Sequence, residues 1–499
     1  MRTLIQGGWV VGYENGTHCL NNDYQVVFED DSILYVGPRF DGRVDTRMDA
    51  SGMLVSPGFI DPHVHSGHRA SHRLISDAGR PDFFGQPFLE ITVPREGTKV
   101  EGDVRYIKPD EVTAAQQKQL ALHAKFTVAE LLRNGVTTFV EHGSQLRVQE
   151  ALLEWCAKLG IRGYLGCGYD SGRLVSDANG YLKRIVNEEA GLRGLEEAVS
   201  FIERTDNSHG GLIKGILVPR DLDGTSPDLL RRTVSKARDL GVPIATHAAY
   251  SVLEFYDIVR EFRMTPIELM DSVGMLGPTV NIGHANLIGE SPRLSYSGAH
   301  DLKLMGSAHT SISHCPTNLI RRARTLDSWQ KYVEAGVNIT IGSDCFPRDM
   351  VMNMRQASYL GKVMSQNLYA ASAAEVFTAA TIAGAISLGR DDLGRLAPGA
   401  RADIILIDMK GHQTLRMGPV RDPIKSLVEC GVGDDVHTVI VAGAVRMQDR
   451  AIPGVDFYEL LEDAQAAGEQ IWASLPSWDP MGRTADQMCP WSFPPCGSI

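Results

Sequence analysis

No part of this 499-residue chain comes close to the ~18 consecutive apolar residues of a membrane span, so no membrane partner is expected. The opening MRTLIQGGWVV lacks the apolar run and small-residue cleavage site of a secretory signal. Cysteine is sparse. Eight are scattered without a C-x-x-C pair, and the one close pair, Cys489 and Cys496, has no metal or disulfide logic. Reduced thiols and a cytoplasmic location are the expectation. Basic charge is short as well: 49 Lys and Arg against 61 Asp and Glu leave a net charge of -12. That balance offers no footprint for nucleic acid or an anionic membrane. The longest basic cluster, Arg321-Arg322-Ala323-Arg324, reads as a solvated loop. A dinucleotide fingerprint is missing too, because Gly166-Cys167-Gly168 has Ser171 where the third glycine belongs.

Hydrophobic content of 43% suits a globular protein, and the length suits two to three domains' worth of core. Residues 1–56 hold short apolar runs such as Gln25-Val26-Val27-Phe28, separated by Gly7-Gly8, Asn15-Gly16 and Asp30-Asp31. This is the texture of a small antiparallel sheet that needs a partner. Residues 57–390 alternate strand and helix. Strands are expected at Phe59–Val64, Val136–Glu141, Ile161–Gly166, Ile213–Val218, Pro243–His247, Thr279–His284, Thr310–His314 and Val337–Gly342. Helices are expected at Ala114–Arg133, closed by Asn134-Gly135, and at Pro227–Leu240, closed by Gly241. Eight strands with intervening helices give an α/β fold, a (β/α)8 TIM barrel, with a doubly wound sheet as the structural alternative. Strand texture returns in residues 391–455, so both chain ends are expected to build one small β-sandwich domain. Residues 456–499 read as a helix (Tyr458–Ala473) and an extended arm, packed on the barrel or on a neighbouring subunit of a homo-oligomer. Two long insertions, 66–111 and 167–210, are placed at the barrel's mouth or rim.

The chemistry starts at Pro57–His65, PGFIDPHVH. His63 and His65 leave the same side of a strand, roughly 6 to 7 Å apart at the backbone, close enough to share one metal ion. Alone, His-x-His is a weak signal. Further candidates sit where barrel active sites are built, at the C-terminal ends of strands. His247 ends strand five, His284 strand six and His314 strand seven, and Asp344 follows strand eight.

PGFIDPHVH, the His247 and His284 segments, SHCPTN (313–318), GSD (342–344) and GRLAPGARADIILID (394–408) together resemble the amidohydrolase superfamily. The likeness is greatest to its cytosine/guanine deaminase and triazine hydrolase branch and runs through nearly the whole chain in the expected order. It implies that His63, His65, His247 and Asp344 bind one divalent ion, zinc by first expectation, with iron or manganese as alternatives. His284 and Asp344 would be the catalytic pair that orients and deprotonates water, whose pKa the metal lowers. Asp344 would then pass the proton to the leaving nitrogen. His314 would face the small-molecule substrate or its oxyanion.

One position departs from that pattern. Deaminases of this branch usually carry a glutamate three residues after the strand-five histidine, and here the run is His247-Ala248-Ala249-Tyr250. Tyrosine is a poor base near neutral pH. The weight therefore moves to hydrolysis of an amide, urea or carbamate-like C–N bond in a small, cyclic nitrogenous compound. The alternative is a deaminase or dechlorinase of a purine, pyrimidine, pterin or triazine ring, with Tyr250 as donor. A non-catalytic scaffold is the third reading. A two-metal site would need Lys214 as a bridging carbamate, but it lies about 16 Å below the mouth at roughly 3.3 Å per residue. Further substrate contacts are sought at Arg220, Asp221, His68, Arg69 and His72.

Overall fold

The computed structural model describes residues 1–67, 113–177, 179–410 and 415–477 without a break, together with 73–77, 79, 86–90, 93, 96, 479 and 481–493. Eight parallel strands carry its centre. They are β1 (Phe59–Val64), β2 (Val136–Glu141), β3 (Arg162–Leu165), β4 (Ile213–Gly215), β5 (Ile244–Ala248), β6 (Val280–His284), β7 (Ser311–His314) and β8 (Asn338–Ile341). All eight fall on the expected segments. Strands β1 to β4 form one sheet and β5 to β8 another, each in sequence order. Two seams join the sheets. At the first, His65 N donates to Asp344 O at 2.7 Å and Asp344 N to His63 O at 2.8 Å. At the second, Ala245 N donates to Leu217 O at 3.1 Å and His247 N to Arg220 O at 2.9 Å. This is the architecture of a (β/α)8 barrel.

Every residue of β1, β2 and β3 is buried, as parallel strands covered on both faces require. The covering helices follow local signals. Helix Ala114–Arg133 begins with a reciprocal cap, Gln116 N donating to Thr113 Oγ1 and Thr113 N to Gln116 Oε1. It ends at Asn134 and Gly135, whose φ of +80° suits glycine. Helix Pro227–Leu240 starts with Ser226 as cap and a proline in its first turn, and stops at Gly241.

Strands from both chain ends share one sheet. One four-stranded sheet orders Ser32–Gly37, Gln25–Glu29, Arg2–Gln6 and Thr46–Asp49. A six-stranded sheet joins Thr17–Asn22, Trp9–Glu14 and Met53–Pro57 from the start of the chain to Ile404–Asp408, Val436–Val441 and Ala444–Met447, the two halves meeting where Met53–Pro57 pairs with Ile404–Asp408. Ile5, Val26 and Phe28 of the first share one apolar cluster with Val10, Val55, Ile404 and Ile440 of the second. Met53–Pro57 leads directly into β1, so this layer anchors the strand that carries His63 and His65.

The excursion 167–210 resolves into a hairpin (Gly172–Ser176 with Leu182–Val186) and helix Glu188–Thr205. His68, Arg69 and His72 of the first insertion lie outside the described residues. Helix Phe457–Ser474 packs on Ala114–Arg133, with Leu460, Ala464 and Ala467 buried and the Arg133 guanidinium 4.3 Å from the Phe457 ring centre. Among the described residues, no helix is long and apolar enough to cross a membrane.

Candidate active site

The C-terminal strand ends bring the expected ligands together. The rings of His63, His65 and His247 have centroids 5.0 to 5.1 Å apart pairwise. His65 Nε2 and His247 Nε2 stand 3.1 Å apart, about the edge of a coordination sphere with metal–nitrogen bonds near 2.1 Å. Asp344 Oδ1 lies 3.6 Å from His65 Nε2 and Asp344 Oδ2 3.5 Å from His284 Nε2. Two overlapping groups each have their ligand atoms within 4.8 Å of one another: His63, His65, His142 and His247, and His63, His284 and Asp344.

Several features fit this set to a cation. Burial drives His142 well below the usual imidazole pKa and His284 down to about 3. Both are therefore neutral near pH 7, the form that offers a lone pair. For His247, burial alone would also lower the pKa, but the hydrogen bond to Asp221 and its charge prevail and the net direction is upward. Its Nδ1 faces Arg220 O at 2.8 Å and Asp221 Oδ1 at 3.0 Å. These acceptors fix the proton on Nδ1 and turn Nε2 inward. Two glycines make room for the rings. A Cβ on Gly283 would lie 2.5 Å from His63 Cε1, and one on Gly342 would lie 2.7 Å from His63 Cβ.

The remaining predicted residues take distinct places. His314 ends β7 fully buried, its pKa lowered to about 3 by burial, with Trp329 edge-on at 6.3 Å. The ring of Tyr250 is 5.9 Å from that of His247 and 6.4 Å from that of His284, so the tyrosine stands beside both. Burial raises its hydroxyl well above the ordinary value. The guanidinium of Arg220 is paired with Asp170, and it is the Arg220 backbone carbonyl that reaches the site. Lys214 Nζ pairs with Asp206 at 3.1 Å, in the connection that precedes β4.

Four residues that support the site were not read from the sequence. His142 follows β2 directly and its ring packs over His63 and His247 at 4.1 and 4.2 Å. Its position one residue past a correctly placed strand was the available signal. The Asn318 amide donates to Asp344 Oδ2. Asp61 accepts from Ser343 N at 3.0 Å and His63 N at 3.3 Å, tying β1 to the loop after β8. Arg348, 2% exposed, donates to His65 O at 3.0 Å and pairs with Glu130 at 2.7 Å. Only tertiary structure could supply those last three contacts.

Imidazoles and one carboxylate converging at the C-terminal end of a parallel barrel define a metal-dependent hydrolase. The chain belongs to the amidohydrolase family, whose profile matches residues 54–446. It is 28% identical over 449 residues to 5-methylthioadenosine/S-adenosylhomocysteine deaminase of Natronomonas pharaonis, spanning 89% of this chain and 92% of that one. It is 27% identical to 5'-deoxyadenosine deaminase of Methanosarcina mazei, over 91% and 94% of the two chains. Among solved structures, an adenosine deaminase from Xanthomonas campestris with bound zinc superposes with a TM-score of 0.75 at 19% identity, covering 94% of this chain and 98% of that one. A mutant of atrazine chlorohydrolase from Arthrobacter aurescens, complexed with zinc and atraton, gives 0.74 at 20% identity, with 93% and 100% covered. The barrel and the hydrolytic class expected from the sequence both stand.

Proposed function

We propose that this enzyme is an aminohydrolase that replaces the exocyclic amino group of a purine, in a nucleoside of the adenosine type, with oxygen from water. The observation that carries this reading is the end-to-end match to relatives named as deaminases of adenosine derivatives. It turns the expected C–N hydrolysis from an amide or urea toward an amino-substituted ring. One divalent ion, zinc in this reading, would be held by His63, His65, His247 and Asp344.

The bound ion would supply Lewis acidity and make water acidic enough to act near neutral pH. The protein's own residues handle the protons. Asp344 takes one from the attacking water and carries it to the departing amine as the carbon–nitrogen bond breaks and ammonia leaves. Neutral His284, facing Asp344 Oδ2 at 3.5 Å, orients that water. The Asn318 amide, donating to the same oxygen, keeps the carboxylate aimed. Tyr250, kept protonated by burial, donates a hydrogen bond to a ring nitrogen but does not take a proton from water. His314 lines the substrate side, and Arg220 contributes from the rim.

The same tyrosine supports a second reading. Hydrolysis at the carbonyl carbon of an amide, urea or carbamate needs no proton delivered to a ring nitrogen, so the absent glutamate would cost nothing there. The complete ligand set speaks against a non-catalytic scaffold. In this reading the sequence divides into a barrel (57–390), a β-sandwich from segments 1–56 and 391–455 that share one apolar core, and an arm (456–499). The enzyme would work as a cytoplasmic homo-oligomer.

The test is ammonia release by the metal-loaded enzyme from adenosine, 5'-deoxyadenosine, 5-methylthioadenosine and S-adenosylhomocysteine, beside a panel of cyclic amides and ureas. Turnover of at least one nucleoside with stoichiometric ammonia is expected. Turnover of the amides and ureas alone would overturn the purine reading.

A further inference from the structure

From the strand-end cluster we infer that His142 is a fourth imidazole ligand of the same cation, beyond His63, His65 and His247. The inference rests on the metal site described above and adds a residue to it.

The placement comes from β2. The carboxylate of Glu141 accepts from Ser66 Oγ at 2.7 Å and from Ser144 N at 2.9 Å, which pins the strand end on both sides of His142. Gly143 then turns the chain with φ +78°, a conformation most side chains avoid. A Cβ there would meet Arg220 Cγ and Val218 Cγ1 at 2.9 Å, so the turn is close-packed. From there the His142 ring packs against those of His63 and His247.

Its surroundings there are unusual for a structural histidine. The side chain is 1% exposed. Neither Nδ1 nor Nε2 has a hydrogen-bond partner among the described residues. A neutral imidazole has one donor and one acceptor, and leaving both buried and unmet is unfavourable. A histidine kept only for packing would be replaced without loss by an apolar side chain of similar size. Coordination answers the acceptor directly, because the lone pair goes to the ion.

The distances suit that role. Imidazoles sharing one ion through metal–nitrogen bonds of about 2.1 Å have ring centroids roughly 4.5–5 Å apart. His142 lies 4.1 Å from His63, 4.2 Å from His247 and 5.4 Å from His65, bracketing that value. Its ligand atom lies within 4.8 Å of all three others. Asp344 approaches the same group from the β8 side, its Oδ1 3.6 Å from His65 Nε2.

The test counts imidazoles on the intact enzyme. X-ray absorption at the zinc edge of wild-type protein carrying one equivalent of zinc should fit four imidazoles per ion. Three would overturn the inference, as would binding of two zinc equivalents in place of one. His142→Ala should weaken zinc, by competition with a chromophoric chelator, at least about tenfold, and should change the visible spectrum of the cobalt-loaded protein. An unchanged affinity and spectrum would also overturn it. The wild-type count does not depend on the variant folding. It is also independent of catalysis: three imidazoles with ammonia released removes this inference alone, whereas four imidazoles without ammonia removes only the purine reading.

Discussion

His284 Nε2 stands 3.5 Å from Asp344 Oδ2, and both residues hold φ in the left-handed region, at +76° and +63°. A side-chain-bearing residue held there costs on the order of 1–3 kcal/mol, and such positions gather at functional sites. Each lies at the C-terminal end of its strand, where the turn aims the side chain across the barrel mouth instead of along the strand. The two turns thus bring together, from strands separated in sequence by the whole of β7, the two residues proposed above to handle protons.

If His284 orients water without binding the ion, the two roles separate in a variant. His284→Ala is expected to lower kcat by about 10²–10⁴, the range for loss of a positioned acid–base group, while the metal content of the purified protein stays at the wild-type level. Loss of metal in parallel with activity would make His284 a ligand and remove its role here.

Asp221 tests the outer layer of the site. Its Oδ1 lies 3.0 Å from His247 Nδ1 and fixes which ring nitrogen turns inward. Asp221→Asn keeps the shape but can present an amide N–H to that position. The loss of an outer-shell partner typically costs 10- to 100-fold in metal affinity, and that drop is expected in chelator competition. Asp228→Asn, on the exposed Arg232 pair of helix Pro227–Leu240, is the control that should change nothing.

Much of this was legible in the sequence, for identifiable reasons. Parallel strands such as Val136–Glu141 are buried on both faces and stand out by their β-branched and aromatic residues. Helix Ala114–Arg133 writes its own limits through Thr113, Gln116 and Asn134-Gly135. The site was legible where a histidine or aspartate closes a strand. His142 meets the same criterion, directly after Val136–Glu141, but lies outside the motifs that carry the family resemblance. Arg220 shows the opposite limit. Its place beyond strand four was right, but its guanidinium is engaged by Asp170, fifty positions earlier, which spacing alone does not reveal. Asn318 closes the SHCPTN segment, yet its bond to Asp344 requires β7 and β8 to be side by side.

Gly283 offers a steric prediction. A Cβ there would stand 2.5 Å from His63 Cε1 and 3.0 Å from His247 Cδ2, well inside contact distance, and close-packed interiors transmit such displacements. Gly283→Ala is expected to fold with reduced metal content and to lose activity in proportion. Gly277→Ala, where a Cβ would meet nothing within 4 Å, should behave as wild type. Full metal occupancy in Gly283→Ala would mean the rings have room to spare, contrary to the geometry.

Asp301 gives a pH dependence outside the metal site. Its carboxylate is fully buried, accepting from Thr265 Oγ1 at 2.6 Å and Gly289 N at 2.7 Å. Burial, with the charges of Glu290 and Glu268 beside it, raises its pKa to about 6. An unfolded aspartate titrates near 3.9. Between those values the native state binds the extra proton, so this group's contribution to stability falls as pH rises through the window and is fully lost above about 6. The sign is opposite to that of a salt-bridged aspartate. The variant Asp301→Asn carries no charge to titrate, and its amide offers an acceptor for Gly289 N and a donor for Thr265 Oγ1 at every pH. Relative to wild type, the variant should therefore gain about 1 kcal/mol between about pH 5 and about pH 7.5, measured by denaturant midpoints at the two pH values. A variant that instead loses ground on going to the higher pH would place the charged carboxylate, not the protonated one, in the folded protein.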